Sequence, residues 1–223
     1  MRGILCILLS ALASVSSSSP FSAASVDAAG ISIPRRNTTV LALSGSLRRL
    51  SANSALARAA SAVSPFVVLA PRLDVLQFFD ADVEAEPPLP VAIAALRAQA
   101  FAADAFVFAT PEYNAAIPAV LKNAIDWLSR DGPEGESPLH GKPYGVMSAA
   151  GRSGGRRAQA NLATVLADSA MVPIGEAVNV NIWDGKKLFS SKTGNLTDAG
   201  VREDIRVLVE ALLRAGHRAR RQE

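Results

Sequence analysis

From residue 38 onward the chain alternates short apolar runs with stripes at helical spacing, and this alternation constrains the fold more than any other feature. Residues 39–43, 66–69, 105–109 and 144–149 are brief, apolar and rich in β-branched or aromatic side chains, the pattern of strands buried on both faces. Residues 177–182 alternate in type and read as a fifth strand. Between these runs, Leu56, Ala59, Ala60 and Val63 fall on one helical face, as do Leu121, Ala124, Ile125 and Leu128 further on. Ile93, Leu96, Ala100 and Phe101, then Leu162, Val165, Leu166 and Ser169, and finally Val201, Ile205, Leu208 and Leu212, mark the other helices. Strands separated by helices predict an α/β domain with a five-stranded parallel sheet and helices on both faces. A strand order of 2-1-3-4-5 sets strands one and three side by side. Ligands in such sheets bind beyond the carboxyl ends of the strands, where the winding direction reverses.

Two loops follow strands one and three. The first, Ser44-Gly45-Ser46-Leu47-Arg48-Arg49-Leu50-Ser51-Ala52-Asn53, is rich in hydroxyls and amides and opens a helix. A phosphate needs converging donors and positive potential, which a helix N-terminus supplies. Ser46, Ser51 and Ser54 offer hydroxyls, Asn53 an amide, Arg48 a charge, and Gly45 a close backbone approach. The Gly-x4-Gly-Lys-Ser/Thr pattern of an ATP-type loop is absent; an ordinary Ser-capped helix start is the alternative. The second loop, Pro111-Glu112-Tyr113-Asn114, begins with a residue that has no N–H for the sheet. The N–H groups of residues 112–114 are expected to be free for the polar edge of a flat heterocycle; the alternative is a plain turn with Asn114 capping the next helix. A third loop after strand four, Ala150-Gly151-Arg152-Ser153-Gly154-Gly155, is open enough for a ring or for a nicotinamide; it is not a Gly-x-Gly-x-x-Gly motif, and a flexible connector is the alternative.

Composition narrows the function classes. Of 223 residues, 49% are hydrophobic, enough for one domain with a real core, expected over residues 37–223. The net charge of +3 comes without a dense basic block, which argues against nucleic acid. The single cysteine is Cys6, so the domain has no disulfide or cysteine-based metal site, and with only His140 and His217 a metal centre is not expected. His140 reads as a loop residue. Residues 1–36 read as a targeting segment: Met1-Arg2-Gly3 precedes an apolar stretch, 4–15, too short to span a membrane, and then a Ser/Ala-rich stretch. That fits a signal peptide leading to the secretory route or to plastid import; a disordered leader on a cytoplasmic enzyme is the other reading. Asn37-Thr38-Thr39 and Asn195-Leu196-Thr197 are glycosylation sequons that matter only on the secretory route, and Thr197 is expected to cap the last helix.

The segments Ser44-Gly-Ser-Leu-Arg48 with Ser51-Ala-Asn53, and Pro111-Glu-Tyr-Asn114 with Ile117-Pro-Ala-Val-Leu-Lys-Asn-Ala-Ile-Asp126-Trp127, resemble the NADPH-dependent FMN reductase family of flavodoxin-like quinone and azo-dye reductases. The resemblance runs over residues 40–213. It implies a flavodoxin-like three-layer fold and non-covalent FMN, with NADPH or NADH as co-substrate. Ser46, Arg48, Ser51, Asn53 and Ser54 would hold the phosphate. Pro111, Glu112, Tyr113 and Asn114 would line the isoalloxazine, with Gly151 and Gly154 at the far rim. The implied reaction is a two-step hydride relay to a quinone, free flavin or azo compound, with the chemistry carried by the cofactor. The resemblance also implies a homodimer or homotetramer joined in part by helix 119–130, with Lys122, Asp126 and Arg130 as interface ion pairs or simply i,i+4 surface partners. Two departures stand out: the stretch 129–140 is long and polar, and Arg152, Arg156 and Arg157 make the third loop basic. That cluster would suit either the 2′-phosphate of NADPH or a solvated helix start. A flavodoxin-type electron carrier is the rival function, but such carriers present an acidic docking face that this chain lacks.

Overall fold

The computed structural model describes residues 25–26, 32–33, 37–132, 135–183 and 187–221. The chain divides into two units, Met1–Asn37 and Thr38–Glu223. In the first, Ser25–Val26 pairs antiparallel with Ser32–Ile33; the remainder of the expected targeting segment lies outside the described residues. No helix among the described residues is long and apolar enough to cross a membrane.

In the second unit the apolar runs become β1 (Val40–Ser44), β2 (Val67–Leu69), β3 (Ala105–Ala109), β4 (Pro143–Ala150) and β5 (Val172–Asn181). They form one parallel sheet in the order β2-β1-β3-β4-β5, the 2-1-3-4-5 arrangement. Strands β3 and β4 are buried along their whole length, as their mostly apolar sequences require, with the buried Ser148 of β4 hydrogen-bonded. The helices are α1 (Ala52–Val63), α2 (Ala81–Ala85), α3 (Val91–Ala102), α4 (Ala119–Leu128), α5 (Arg156–Ala167) and α6 (Ala199–Ala219).

Side-chain alternation along the strands builds two cores. Leu41, Leu43, Phe106 and Phe108 face α3, α4 and α5, whereas Val40, Ala42, Val107 and Ala109 face α1 and α6. The block Asn123-Ala-Ile-Asp-Trp127 on α4 also anchors the segment before α2. The Asn123 Oδ1 accepts from the Phe79 N–H at 2.7 Å. Its Nδ2, at 3.0 Å, and the Trp127 Nε1, at 2.8 Å, both donate to the Gln77 carbonyl. The charges on the outer side of α4 find partners within the chain: Lys122 pairs with Asp126, and Arg130 with Glu84 of α2 at 2.8 Å.

Three boundaries differ from the sequence expectation. Strand β5 begins at Val172 rather than at 177, because Pro173 and Gly175 are tolerated on an edge strand whose register with β4 shifts between Tyr144 and Val146. Helix α2 and a 3₁₀ turn at Leu73–Val75 are too short to show a period, and α2 exists on the strength of its cap, Asp80 Oδ1 accepting from the Asp82 N–H at 2.9 Å. The cap of α6 is Asp198, which accepts from the Val201 N–H at 2.9 Å, while the Thr197 hydroxyl donates to the Leu188 carbonyl at 3.0 Å.

Leu121 connects this core to the first loop, since a Cβ built on Gly45 would lie 3.2 Å from its side chain. Leu121→Ala is expected to lower unfolding free energy by about 2–5 kcal/mol, measured by urea denaturation.

Candidate functional site

The first loop is folded by its own hydroxyls. The Ser51 Oγ caps α1 by accepting from the Ser54 N–H at 3.1 Å. The Ser54 Oγ lies 2.8 Å from the Ser44 Oγ and also donates to the Ser46 carbonyl at 3.3 Å. The Gly45 N–H donates to the Ala109 carbonyl at 2.9 Å, tying the loop to the end of β3. Beside this loop, at the carboxyl ends of β1 and β2, lies a cavity of about 250 Å³. Ser46, Arg48 and Ser54 line it together with Arg49, Arg58 and Arg72, and among the described residues its lining holds no carboxylate. The first turn of α1 carries no acid either. Of these guanidinium groups Arg72 is paired with Asp74 at 2.6 Å; the hydroxyls, the other guanidinium groups and the helix N-terminus make a donor set for an anion such as a phosphate.

Asn53 has a second task that the sequence did not disclose. Its side chain is 3% exposed. Its Nδ2 donates to the Ala149 carbonyl at 2.9 Å, and its Oδ1 accepts from the Ala149 N–H at 2.8 Å. Ladder pairing between β3 and β4 stops at Ala109 and Met147, with the Thr110 N–H donating to the Met147 carbonyl at 2.9 Å. Ala149, two residues on, would have its backbone groups exposed on the β3 side. The Asn53 carboxamide takes the place of the missing strand. This amide is engaged with β4, one of its two Nδ2 hydrogens going to the Ala149 carbonyl, and the backbone N–H of Asn53 is a further donor at the start of α1.

The second loop is a two-residue hairpin. The Tyr113 N–H and the Ala116 carbonyl pair at 3.0 Å, as do the Ala116 N–H and the Tyr113 carbonyl. Asn114 and Ala115 have φ of 50° and 66°, so the turn is left-handed at both central positions. Asn tolerates this conformation, whereas Ala there costs about 1–2 kcal/mol, which the two hairpin bonds must hold in place. The Tyr113 N–H is thus not free for a ring, a departure from expectation. Asn114 does not cap α4, whose N-cap is Pro118. Pro111 is buried and the Tyr113 side chain is exposed.

Glu112 does not face outward either. Its side chain is 5% exposed and is directed at the third loop and the start of α5. There it accepts from the Ser153 hydroxyl at 2.9 Å, from the Arg157 N–H at 3.1 Å and from the Arg157 guanidinium at 2.8 Å. Burial alone would push this carboxyl up. The hydrogen bonds from Arg157 and Ser153, with the Arg157 charge, outweigh burial and hold it below the usual carboxylate range. The third loop is further fixed by Gly155, at φ 88°, where a Cβ would fall 1.7 Å from the Ser148 Oγ. That hydroxyl donates to the Thr110 carbonyl at 2.6 Å. Of the basic cluster, Arg157 is engaged with Glu112, whereas Arg152 and Arg156 are exposed. Gly151 and Gly154 close a turn, the Gly154 N–H donating to the Gly151 carbonyl at 2.9 Å.

Sequence reasoning passed over Trp183. It follows β5, and its indole lies 3.1 Å from where a Cβ on Gly151 would be. A solitary aromatic directly after a strand end was the available signal.

Two larger hollows, of about 590 and 540 Å³, lie away from the first loop, one beside the start of β5 and the C-terminal end of α6, the other between α1 and α6. Donor chemistry rather than size singles out the strand ends. A parallel sheet in this order, with an anion-accepting helix start and two further loops beyond adjoining strands, defines a flavodoxin-like nucleotide-binding protein. Comparison with known proteins narrows the class. Residues 38–185 match the NADPH-dependent FMN reductase family. The chain is 39% identical over 176 residues to an NAD(P)H-dependent FMN reductase of Pseudomonas aeruginosa, covering 78% of this chain and 92% of that one. It is 36% identical over 181 residues to a probable NADPH:quinone oxidoreductase of Oryza sativa, covering 78% and 86%. Among solved structures, the flavoenzyme NAD(P)H:(acceptor) oxidoreductase of Paracoccus denitrificans superposes with a TM-score of 0.68 at 26% identity, covering 82% of this chain and 98% of that one. The chain belongs to the NADPH-dependent FMN reductase family and is an oxidoreductase.

Asn53→Ala leaves both backbone groups of Ala149 without their partner and is expected to lower stability by about 2–3 kcal/mol in urea denaturation. For Glu112 the folded carboxyl titrates below its ordinary value, so its contribution is present above that value and lost as pH falls through the folded one. The stability gap between the native chain and Glu112→Gln is therefore expected to be full at pH 7 and to close as acid titrations pass below the ordinary value of 4.5.

Proposed function

We propose that this chain is an NAD(P)H-dependent reductase that holds FMN across its three strand-end loops and passes reducing equivalents to a small planar acceptor. The observation that carries this reading is the arginine-walled cavity at the start of α1, whose lining among the described residues includes Ser46, Arg48 and Ser54 but no carboxylate. Its donor set fits a phosphomonoester. Ser46, Arg48 and Ser54 would hold the phosphate with their side chains. Ser51 would contribute the hydrogen of its hydroxyl, whose oxygen accepts in the cap while its backbone N–H is bound to the Arg48 carbonyl at 3.1 Å, and Asn53 would contribute its backbone N–H. Pro111, Glu112, Tyr113 and Asn114 would border the isoalloxazine mainly through backbone, with Gly151 and Gly154 at the opposite rim.

When bound, FMN supplies the two-electron transfer between NAD(P)H and acceptor. The chain's own part is to orient the ring, to keep one face open and to give a reductant and then an acceptor access to that face in turn. Alternate occupancy of one face is the structural basis for ping-pong kinetics. Names of relatives, quinone reductase among them, favour a quinone acceptor over a free flavin or an azo compound.

The purified protein is expected to be yellow, with flavin absorbance bands, and to oxidise NADPH with menadione, giving parallel lines in double-reciprocal plots. A chain that stays colourless after incubation with excess FMN overturns the cofactor assignment; intersecting lines overturn the alternate-occupancy scheme.

A further inference from the structure

We propose that the indole of Trp183 is the stacking surface for the electron acceptor, and that it selects planar, electron-poor aromatic rings such as naphthoquinones. This rests on the flavin reading above, since it takes the Gly151 loop as the rim of the cofactor site.

The two tryptophans of this chain are used in opposite ways. Trp127 is 1% exposed, packed edge-on against Phe79 and bonded through its Nε1 to Gln77. Trp183 is 71% exposed and adds nothing to either core. It is nonetheless held in place. The Trp183 N–H donates to the Asn181 Oδ1 at 2.9 Å, and the preceding Ile182 N–H donates to the Ala150 carbonyl at 2.9 Å, so the end of β5 is tied to the end of β4. Three contiguous indole carbons, Cδ2, Cε2 and Cε3, lie equally far, 3.1 Å, from a Cβ built on Gly151. Equal distances to the fused bond and its neighbour mean that the flat of the ring bears on the loop. Any larger residue at 151 would push the ring away.

One face of the indole is thus set against the third loop, and the ring remains open to solvent at the carboxyl end of the sheet. That loop is itself locked to the second loop through Ser153, Arg157 and Glu112, so the platform has a fixed relation to Pro111 and Glu112. Indole is the most electron-rich aromatic side chain, and offset stacking on it favours electron-poor rings. A quinone is planar and electron-poor; a compact inorganic oxidant has no face to stack.

The test compares acceptors in the flavin-loaded full chain. In Trp183→Ala and Trp183→Leu, the KM for menadione is expected to rise about five- to tenfold with kcat altered less than about twofold. Trp183→Phe, which keeps an aromatic face, should stay within about threefold of the native KM. The KM for ferricyanide and the flavin content per chain should move in none of the three. A menadione KM that stays native in both Ala and Leu variants overturns the proposal, as does a ferricyanide KM that rises in parallel, which would mark a general structural role. Failure of the native chain to bind FMN, or to reduce ferricyanide with NADPH, would instead strike the flavin reading and is read separately.

Discussion

The carboxamide of Asn53 is the fixed point of the strand-end architecture. Strands β3 and β4 part company after Ala109 and Met147, and any crevice for a ligand has to open there. Opening it leaves the next backbone groups of β4 facing an empty lane in the sheet, and buried backbone groups are rarely left unpaired. A side-chain amide has the same donor and acceptor as a peptide unit. Placed in the first turn of α1, Asn53 supplies both to Ala149. One residue from the first loop thereby ends the sheet cleanly, seats α1 over it and sets the height of the third loop, which begins immediately after Ala150.

The same economy separates the two helix starts that face this end of the sheet. Both α1 and α5 offer free N–H groups and a positive dipole end. At α5 the position is already filled: Glu112 accepts from the Arg157 N–H and from its guanidinium, an internal carboxylate where an external anion would otherwise sit. At α1 no acid occurs in the first turn, and arginines line the neighbouring cavity. Sequence motifs alone make both helix starts look basic. Only the direction of the Glu112 side chain shows that the α5 start is a structural latch, whereas the first turn of α1 has no acid of its own. A 2′-phosphate would therefore have to bind Arg152 and Arg156 without help from Arg157.

The layout of the sheet was legible because it rests on burial. Strands β3 and β4 are covered on both faces, so their sequences are mostly apolar, and the parallel sheet followed from the alternation with helices, whereas its order rested on the flavodoxin-like resemblance. The edge was harder to read, since Pro173 and Gly175 are forbidden in a central strand and acceptable in β5. For the site, the loops were legible as positions but not as side-chain roles. Residues with the right chemistry for a ligand, Asn53 and Glu112 above all, also have the right chemistry for a neighbouring loop. Which partner wins depends on contacts across 96 positions in the first case and 45 in the second. No local pattern encodes separations of that size. Trp183 was missed for the opposite reason: its only local signal is a solitary aromatic after a strand end, and its meaning comes from the bare Cα of Gly151 beneath it.

These roles divide the labour in a way that suits a protein whose cofactor does the chemistry. Polar side chains at this end of the sheet bind protein: Glu112 of the second loop accepts from Ser153 of the third, and Ser148 of β4 donates to the Thr110 carbonyl. What the second loop can then present to a ring is backbone, in a hairpin whose left-handed pair at Asn114 and Ala115 is held by two short-range bonds. Backbone held in a hydrogen-bonded turn cannot swing away as a long side chain can, and it loses little entropy on binding. A site built so is preorganised at the ring and adjustable at its margin, where the exposed side chains of Tyr113 and Trp183 stand clear of the latch. On the proposed reading, substitution at the margin would change which acceptor is used without disturbing the bonds that hold the loops together.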